Sequence, residues 1–412
     1  MTAWSPEWRV KINGSTLTNI TLSDLSITSG RTSIYEQPTA SYANINLINL
    51  TQTTITLDIN DPVTIEIKDS SGVFIYLYGG FVSDYSITIN NTGSVTYTQT
   101  YSILALGALA RLPRQLIEGA LSKDFDGDQI YAVLEQGLFN TWLEVAPTLT
   151  WADYEPTTTW AEAENTGLGE IDRPGDYELH ERSASTTDIY SLAASLASSG
   201  LGYIYEDAQG RVCYADSTHR SEYLATNGYV DLDAEHAIAR GMTVATRGQD
   251  VRNSITITYK NGQQVSAEDS ASIALYGLLA QNFQTSLENG ADATSQANFY
   301  LDLRAYPQSL LESINFELTN PDLDSGDRDS LLGTFIGMPI NLTNLPINMG
   351  SNYQGFVEGW TFQARFNALS LTLLMTPIAY SLQAFRWNSV PVGETWNTIS
   401  PTLTWLEATV VA

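Results

Sequence analysis

Asp124, Asp126 and Asp128 fall on the first, third and fifth positions of a calcium-loop spacing, and Glu135 falls on the twelfth. Alternating carboxylates followed by a distal glutamate are the oxygen donors a hard divalent cation takes. The sixth position argues against that use, because Gln129 stands where such a loop needs glycine for its sharp turn. A helix N-terminus favours the same carboxylates through its dipole, with no metal at all. The four residues remain a calcium candidate only, and no metal or cofactor is expected.

Other catalytic patterns are missing. His180, His219 and His236 lack the spacing of a His-Glu-x-x-His metal site. No Gly-x-Ser-x-Gly elbow, phosphate-binding loop or dinucleotide glycine pattern follows a strand. Carboxylates are plentiful, yet no pair stands apart as a glycosidase pair does. Cys213 is the single cysteine, so neither an intrachain disulfide nor a cysteine zinc site can form. In Arg211-Val212-Cys213-Tyr214 it reads as a packed thiol on a strand. An enzyme is not expected.

Six of the nine tryptophans follow a nine-residue spacing: Trp142, Trp151 and Trp160, then Trp387, Trp396 and Trp405. The peptide Pro147-Thr148-Leu149-Thr150-Trp151 recurs as Pro401-Thr402-Leu403-Thr404-Trp405. An odd spacing would alternate the rings across a strand, and it does not match a helical stripe. Prolines between most of the tryptophans point to short extended pieces separated by turns. The rings could staple their own modules, dock on neighbouring subunits or partner proteins, or form sugar platforms. Docking suits a side chain that buries much area at small entropic cost.

The elements that must carry these residues are mostly strands. Alternation marks Tyr42 to Ile48, Val63 to Ile67 and Val95 to Thr100, with turns at Asn13-Gly14, Ser70-Ser71-Gly72 and Asn91-Thr92-Gly93. Ile103 to Leu112 has a short apolar helix pattern stopped by Pro113. Helices are predicted over Asp128–Leu138 and, behind a capping signal at Ser185 to Asp188, up to Gly200. A hairpin follows, Leu201 to Ala215. Next come a strand at Asn253 to Tyr259, a turn at Asn261-Gly262 and a helix from Ala291 to Arg304. Strands close the pattern at 313–318, 339–342, 355–363 and 369–375, and Asn320 to Asp329 reads as a solvated acidic loop.

Two strand pairs repeat one plan. Pro62 precedes Gly80-Phe81-Val82, and Pro339 precedes Gly355-Phe356-Val357. A shared order of elements weighs more than either short match alone. The expected fold is mainly β with α+β insertions, in four parts. Residues 1–112 form a first tube-like β-barrel module. Residues 113–240 form an inserted α/β region with the tryptophan stretch 141–163. Residues 241–380 form a second tube-like module, and 381–412 an extended tail rich in tryptophan. A chain with two copies of one module can build a six-unit ring from three subunits.

A formal charge of −27 over 412 residues, with 19 Lys and Arg, disfavours nucleic-acid binding through a basic patch. The N-terminal residues lack a signal-peptide pattern, and no run of about 20 apolar residues spans a bilayer. Synthesis in a cytoplasm is expected, with no membrane segment.

Three stretches resemble the tail hub, or baseplate hub, proteins of tailed bacteriophages, often called minor tail proteins. One is Thr187 to Ala193 with the hairpin Gly202 to Val212. The second is Asp269-Ser270-Ala271-Ser272 with Tyr276-Gly277, then Ala291-Asp292-Ala293 through Pro307. The third is Tyr353 to Trp360 with Leu373 to Pro377. The tryptophan nonapeptides resemble those of hubs from phages of actinobacteria. The resemblance covers roughly residues 1–380 and implies a homotrimer joining a sixfold tail tube to a threefold tip. It also implies a distal tail protein or tube hexamer on one side and spike or fibre proteins on the other. DNA would pass through a channel without specific binding. The chain departs from larger relatives in lacking a long C-terminal fibre, lysin or receptor-binding region, so neither host recognition nor peptidoglycan cleavage is expected of it. The alternatives are a hexameric distal tail protein and a glycan-binding or glycan-cleaving tail-tip protein.

Overall fold

The computed structural model describes residues 4–18, 20–51, 54–91, 97–134, 136, 150–151, 171–246, 248–307, 309–345, 352–365 and 367–377. Alternating Ile, Leu and Val against Ser, Thr and Asn give strands with one apolar face. The first six are β1 (Trp8–Ile12), β2 (Thr21–Gly30), β3 (Tyr42–Asn49), β4 (Pro62–Lys68), β5 (Phe74–Asn91) and β6 (Tyr97–Leu106). They pair in the order β2-β3-β6-β5-β4-β1.

A second set repeats that order with strands from the far end of the chain. It comprises β9 (Val230–Asp233), β10 (Ala237–Thr246), β14 (Ser309–Glu317), β15 (Pro339–Thr343), β16 (Asn352–Arg365) and β17 (Ala368–Pro377). These pair as β10-β14-β17-β16-β15-β9. Between the two sets lie α1 (Asp126–Leu134), α2 (Ile189–Ser199), β7 (Tyr203–Glu206), β8 (Arg211–Ala215) and α3 (His219–Asn227). Within the second set lie β11 (Ser254–Tyr259), β12 (Gln263–Glu268), α4 (Ser270–Tyr276), β13 (Ala280–Gln284), α5 (Gly290–Arg304) and α6 (Ser325–Leu332).

The two sets match in register as well as in order. Pro62 lies opposite Phe81, and Pro339 lies opposite Phe356. Val82 donates its amide to the Asp61 carbonyl at 2.9 Å, as Val357 does to Met338 at 3.0 Å. The residue before each acceptor, Asn60 or Gly337, has positive φ (73° and 88°). Each donates back to the carbonyl of the same valine, at 2.8 and 2.7 Å. Asparagine and glycine are the residues that tolerate this conformation. One bulge then follows in each copy, between Val82 and Asp84 and between Val357 and Gly359. Even a cross-strand hydrogen bond recurs, from Ser102 to Asn46 (2.7 Å) and from Asn315 to Thr372 (2.6 Å).

The copies are joined edge to edge. β16 pairs along its second half with β2, so one hydrogen-bonded sheet runs through both modules. Their inward side chains form one core, from Leu25, Ile45 and Ile103 to Phe316, Phe362 and Leu373. They differ at one outer strand: β1 runs antiparallel to β4, whereas β9 runs parallel to β15.

A second core gathers residues between Ala108 and Ala305. It packs α1, α2 and the β7–β8 hairpin with the three-stranded sheet β12-β11-β13 and α5. Asp188 caps α2, accepting the Ser191 amide at 2.8 Å, and the helix buries Ile189, Leu192, Ala193 and Leu196. The chain therefore leaves the second module after β10, builds the β11–α5 unit against this other core, and returns at β14.

Two sequence expectations are corrected. Ile103 to Leu112 is not one helix: Ile103 to Leu106 ends a central strand, and Ala108–Arg114 is a 3-10 helix containing Pro113. Pairing with both β3 and β5 overrides the local apolar pattern. The acidic segment ending at Asp329 is not a plain loop either. Asp324 accepts the Asp327 amide at 2.8 Å and starts α6. Arg328 turns inward there and donates to the Leu318 and Leu323 carbonyls, both at 2.8 Å.

Candidate assembly surface

The seam between the modules brings strands from both halves of the chain into one ladder. Ile27 of β2 faces Phe362 of β16, and Gly30 faces Gly359. A Cβ at Gly30, whose φ is +89°, would sit 2.3 Å from the Glu358 carbonyl oxygen. Glycine there is what lets the two backbones cross closely.

Glu358 occupies the bulge of β16 and is fully buried. Arg220 of α3 donates to it twice, at 2.7 and 2.9 Å, and Arg31 at the end of β2 donates Nε at 2.7 Å. The Tyr203 ring lies 4.9 Å from the Arg31 guanidinium and 4.8 Å from that of Arg220. Burial pushes the Glu358 carboxyl up, but the two arginines outweigh it and hold it at about 2. One carboxylate thus ties the first module, the second module and the inserted region together.

A second buried acid makes a different link. Glu206 of β7 accepts the Ser41 amide at 2.9 Å, the Ser41 hydroxyl and the Leu109 amide. With no cation among these contacts, burial lifts its carboxyl to about 7.

Around the seam the outward face of the sheet carries many hydroxyl and amide side chains. Ser26, Asn44, Asn46, Ser102 and Thr361 alternate with the buried apolar residues of their strands. Asp24 faces Arg365 across the seam.

Two of the strand edges that carry no partner among the described residues stand where the seam would repeat. Past its bulge, β5 pairs only with β6, and β10 pairs only with β14. Ile87, Ile89 and Val244 are exposed there.

The duplicated residues Pro62, Gly80, Phe81 and Val82, and Pro339, Gly355, Phe356 and Val357, come together as two equivalent strand pairs. The calcium-spaced residues are not brought to one point. Asp126 is buried, accepting the Tyr177 amide at 3.0 Å and the Tyr214 hydroxyl. Its carboxyl is lifted to about 7 by burial. Asp128 instead pairs with Arg173 at 2.7 Å, Asp124 lies in a short ladder with Leu179, and Glu135 lies outside the described residues. Among the described residues no group of three or more His, Cys, Asp and Glu is placed to hold a metal. His219 sits buried against Asp172, with burial lowering its pKa. Cys213 is buried in β8. Trp151 pairs through its backbone with Val212; Trp142, Trp160, Trp387, Trp396 and Trp405 lie outside the described residues.

Sequence reasoning passed over Arg31, Arg220, Glu358 and Glu206. The available signal was Glu358 itself, a lone charge inside the apolar run Phe356 to Trp360.

No protein-family model and no curated protein matches the chain. Solved structures do. The 43 kDa tail protein of prophage MuSo2 from Shewanella oneidensis superposes with a TM-score of 0.54 at 11% identity, covering 90% of this chain and 98% of that one. A tail protein from Neisseria meningitidis MC58 gives 0.58 at 11% identity, covering 92% and 98%. At such identities the likeness is one of fold, over nearly the whole of both chains.

Proposed function

We propose that the chain is a structural, non-enzymatic virion protein, the homotrimeric hub at the tip of a bacteriophage tail, made in the host cytoplasm. It joins the sixfold tail tube, or a distal tail protein, to threefold tip proteins such as a spike or fibre. The observation that carries this reading is the duplicated module, matched in strand order, register and bulge. Three chains with two equivalent modules each present six similar units to one neighbour while keeping threefold symmetry toward the other. The fold shared with prophage tail proteins supports the same reading.

The outward hydroxyl and amide face is assigned to the channel. DNA gains phosphate affinity from lysine and arginine, whereas around the seam this face presents mainly Ser, Thr and Asn, with Arg365 set opposite Asp24. DNA therefore passes without being held. The tryptophan nonapeptides dock on neighbouring subunits or tip proteins.

Native mass spectrometry of the purified chain, with and without tail partners, tests the reading. A trimer is expected. A hexamer would replace the hub by the distal tail protein.

A further inference from the structure

We infer that the two open edges are the two sides of one interface: β5 past its bulge in one copy pairs antiparallel with β10 of the next, setting Ile87 opposite Val244. The inference rests on the multi-copy reading above and adds to it the surface, the strands and the register.

The molecule's own duplication supplies the argument. In the second module the strand past the bulge, β16, has β17 on one side and β2 on the other. In the first module the equivalent strand, β5, has β6 on one side and no partner on the other among the described residues. β10 is the second module's counterpart of β2, since β2 borders β3 as β10 borders β14. Repeating the internal seam once more places β10 of another copy along β5.

The register follows from the ladders. Leu25 faces Ile45, which faces Ile103, which faces Tyr85. Met242 faces Ile314, which faces Leu373, which faces Trp360. Met242 therefore matches Leu25, and Val244 matches Ile27. Tyr85 matches Trp360, and Ile87 matches Phe362. The register shift beside Val244 skips Glu312 in β14 and leaves β10 continuous. Within the chain Ile27 faces Phe362, so between copies Val244 faces Ile87, and Met242 faces Ile89.

Burial singles out the same residues. Ile27 and Phe362 are 0% and 1% exposed at the seam, whereas Val244 and Ile87 are 45% and 46% exposed. The open edges show to solvent what the seam encloses. Asp84 to Asn91 also carries no lysine, arginine or proline, the residues with which edge strands ward off pairing.

The test is cysteine cross-linking of the full chain. Cys213 is buried, so the engineered thiols are the accessible ones. Ile87→Cys with Val244→Cys is the in-register pair. Ile89→Cys with Thr246→Cys is displaced by four residues, roughly 13 Å along a strand, beyond disulfide reach. The in-register pair should oxidise to a ladder at least tenfold faster than the displaced pair. Mixing the two in-register single variants should give only the mixed dimer. A trimer by mass that gives no in-register cross-link overturns this interface and leaves the hub reading standing. A ladder that closes at six keeps the interface and removes the trimer. A chain that neither associates nor cross-links, at high concentration or with its partners, overturns both. Ile87→Asp, exposed in one copy and so expected to keep its fold by circular dichroism, should abolish association; unchanged association would count against the interface.

Discussion

On the proposed interface, the seam inside the chain and the edges left open are two versions of one strand-to-strand contact. Both place a strand just past a bulge beside the edge strand of a module. At the seam the contact is closed by apolar burial, by glycines that let the backbones approach, and by a carboxylate shared between two arginines. At the open edge Ser83 occupies the bulge position that Glu358 fills. The difference teaches that the chain spends its ionic lock where the contact is permanent. The open edge of β5 carries no charged residue past Asp84.

Glu358→Gln should be the sharpest break. It leaves two buried guanidinium groups without their carboxylate, and loss of one partner in a buried ion pair costs about 3–5 kcal/mol. Ser83→Ala, the matching change at the open edge, should stay within about 0.5 kcal/mol. Urea unfolding of both variants measures the contrast. Phe362→Ala should likewise cost about 3–5 kcal/mol for the lost burial and the cavity it leaves. Its counterpart Ile87→Ala should be near neutral in the single chain and weaken only the assembly, read by unfolding and by mass.

A pH series separates the seam from the inserted region. Glu358, held at about 2, keeps its contribution above its unfolded value and loses it only as pH falls through 2. Asp126 and Glu206, lifted to about 7, hold protons in the folded state that the unfolded state has released. Stability should therefore fall as pH rises from 5 to 8, by on the order of 2 kcal/mol for each group. Asp126→Asn should remove its share of that slope, while Glu358→Gln should leave the slope unchanged. Gly30→Ala should also weaken the seam, since positive φ and a backbone carbonyl oxygen 2.3 Å from the new Cβ should cost more than about 1 kcal/mol. A thermal melt measures it.

Much of the sheet was legible because its signals are local. Alternation located β3, β4 and β15 to β17, and Asn-Gly marked the turns at Asn13 and Asn261, both with positive φ. The echo of Gly-Phe-Val behind a proline pointed to a duplication whose register the strands then share. The rest depended on distant partners. Leu104 and Ala105 read as helical until two neighbouring strands claim them. The excursion of residues 248–307 to another core leaves no mark in composition, because its strands alternate like those of the sheet. Arg31, Arg220 and Glu358 are scattered along the chain and meet only because a bulge turns Glu358 inward.

The seam also has a history in time. Strands β1 to β6 are complete at Leu106, but the partner of β2 ends at Arg365. At typical synthesis rates the intervening stretch of about 260 residues takes roughly 13 to 50 seconds to emerge. Throughout that interval the first module of a nascent chain offers the edge of β2 away from β3 bare, in the shape its own last strands will fit. The finished second module of a neighbouring chain on the same message carries a β16 able to take that place. A protein that closes on itself with its final strands thus runs a risk of strand exchange between ribosomes. That risk grows with ribosome loading rather than with protein concentration.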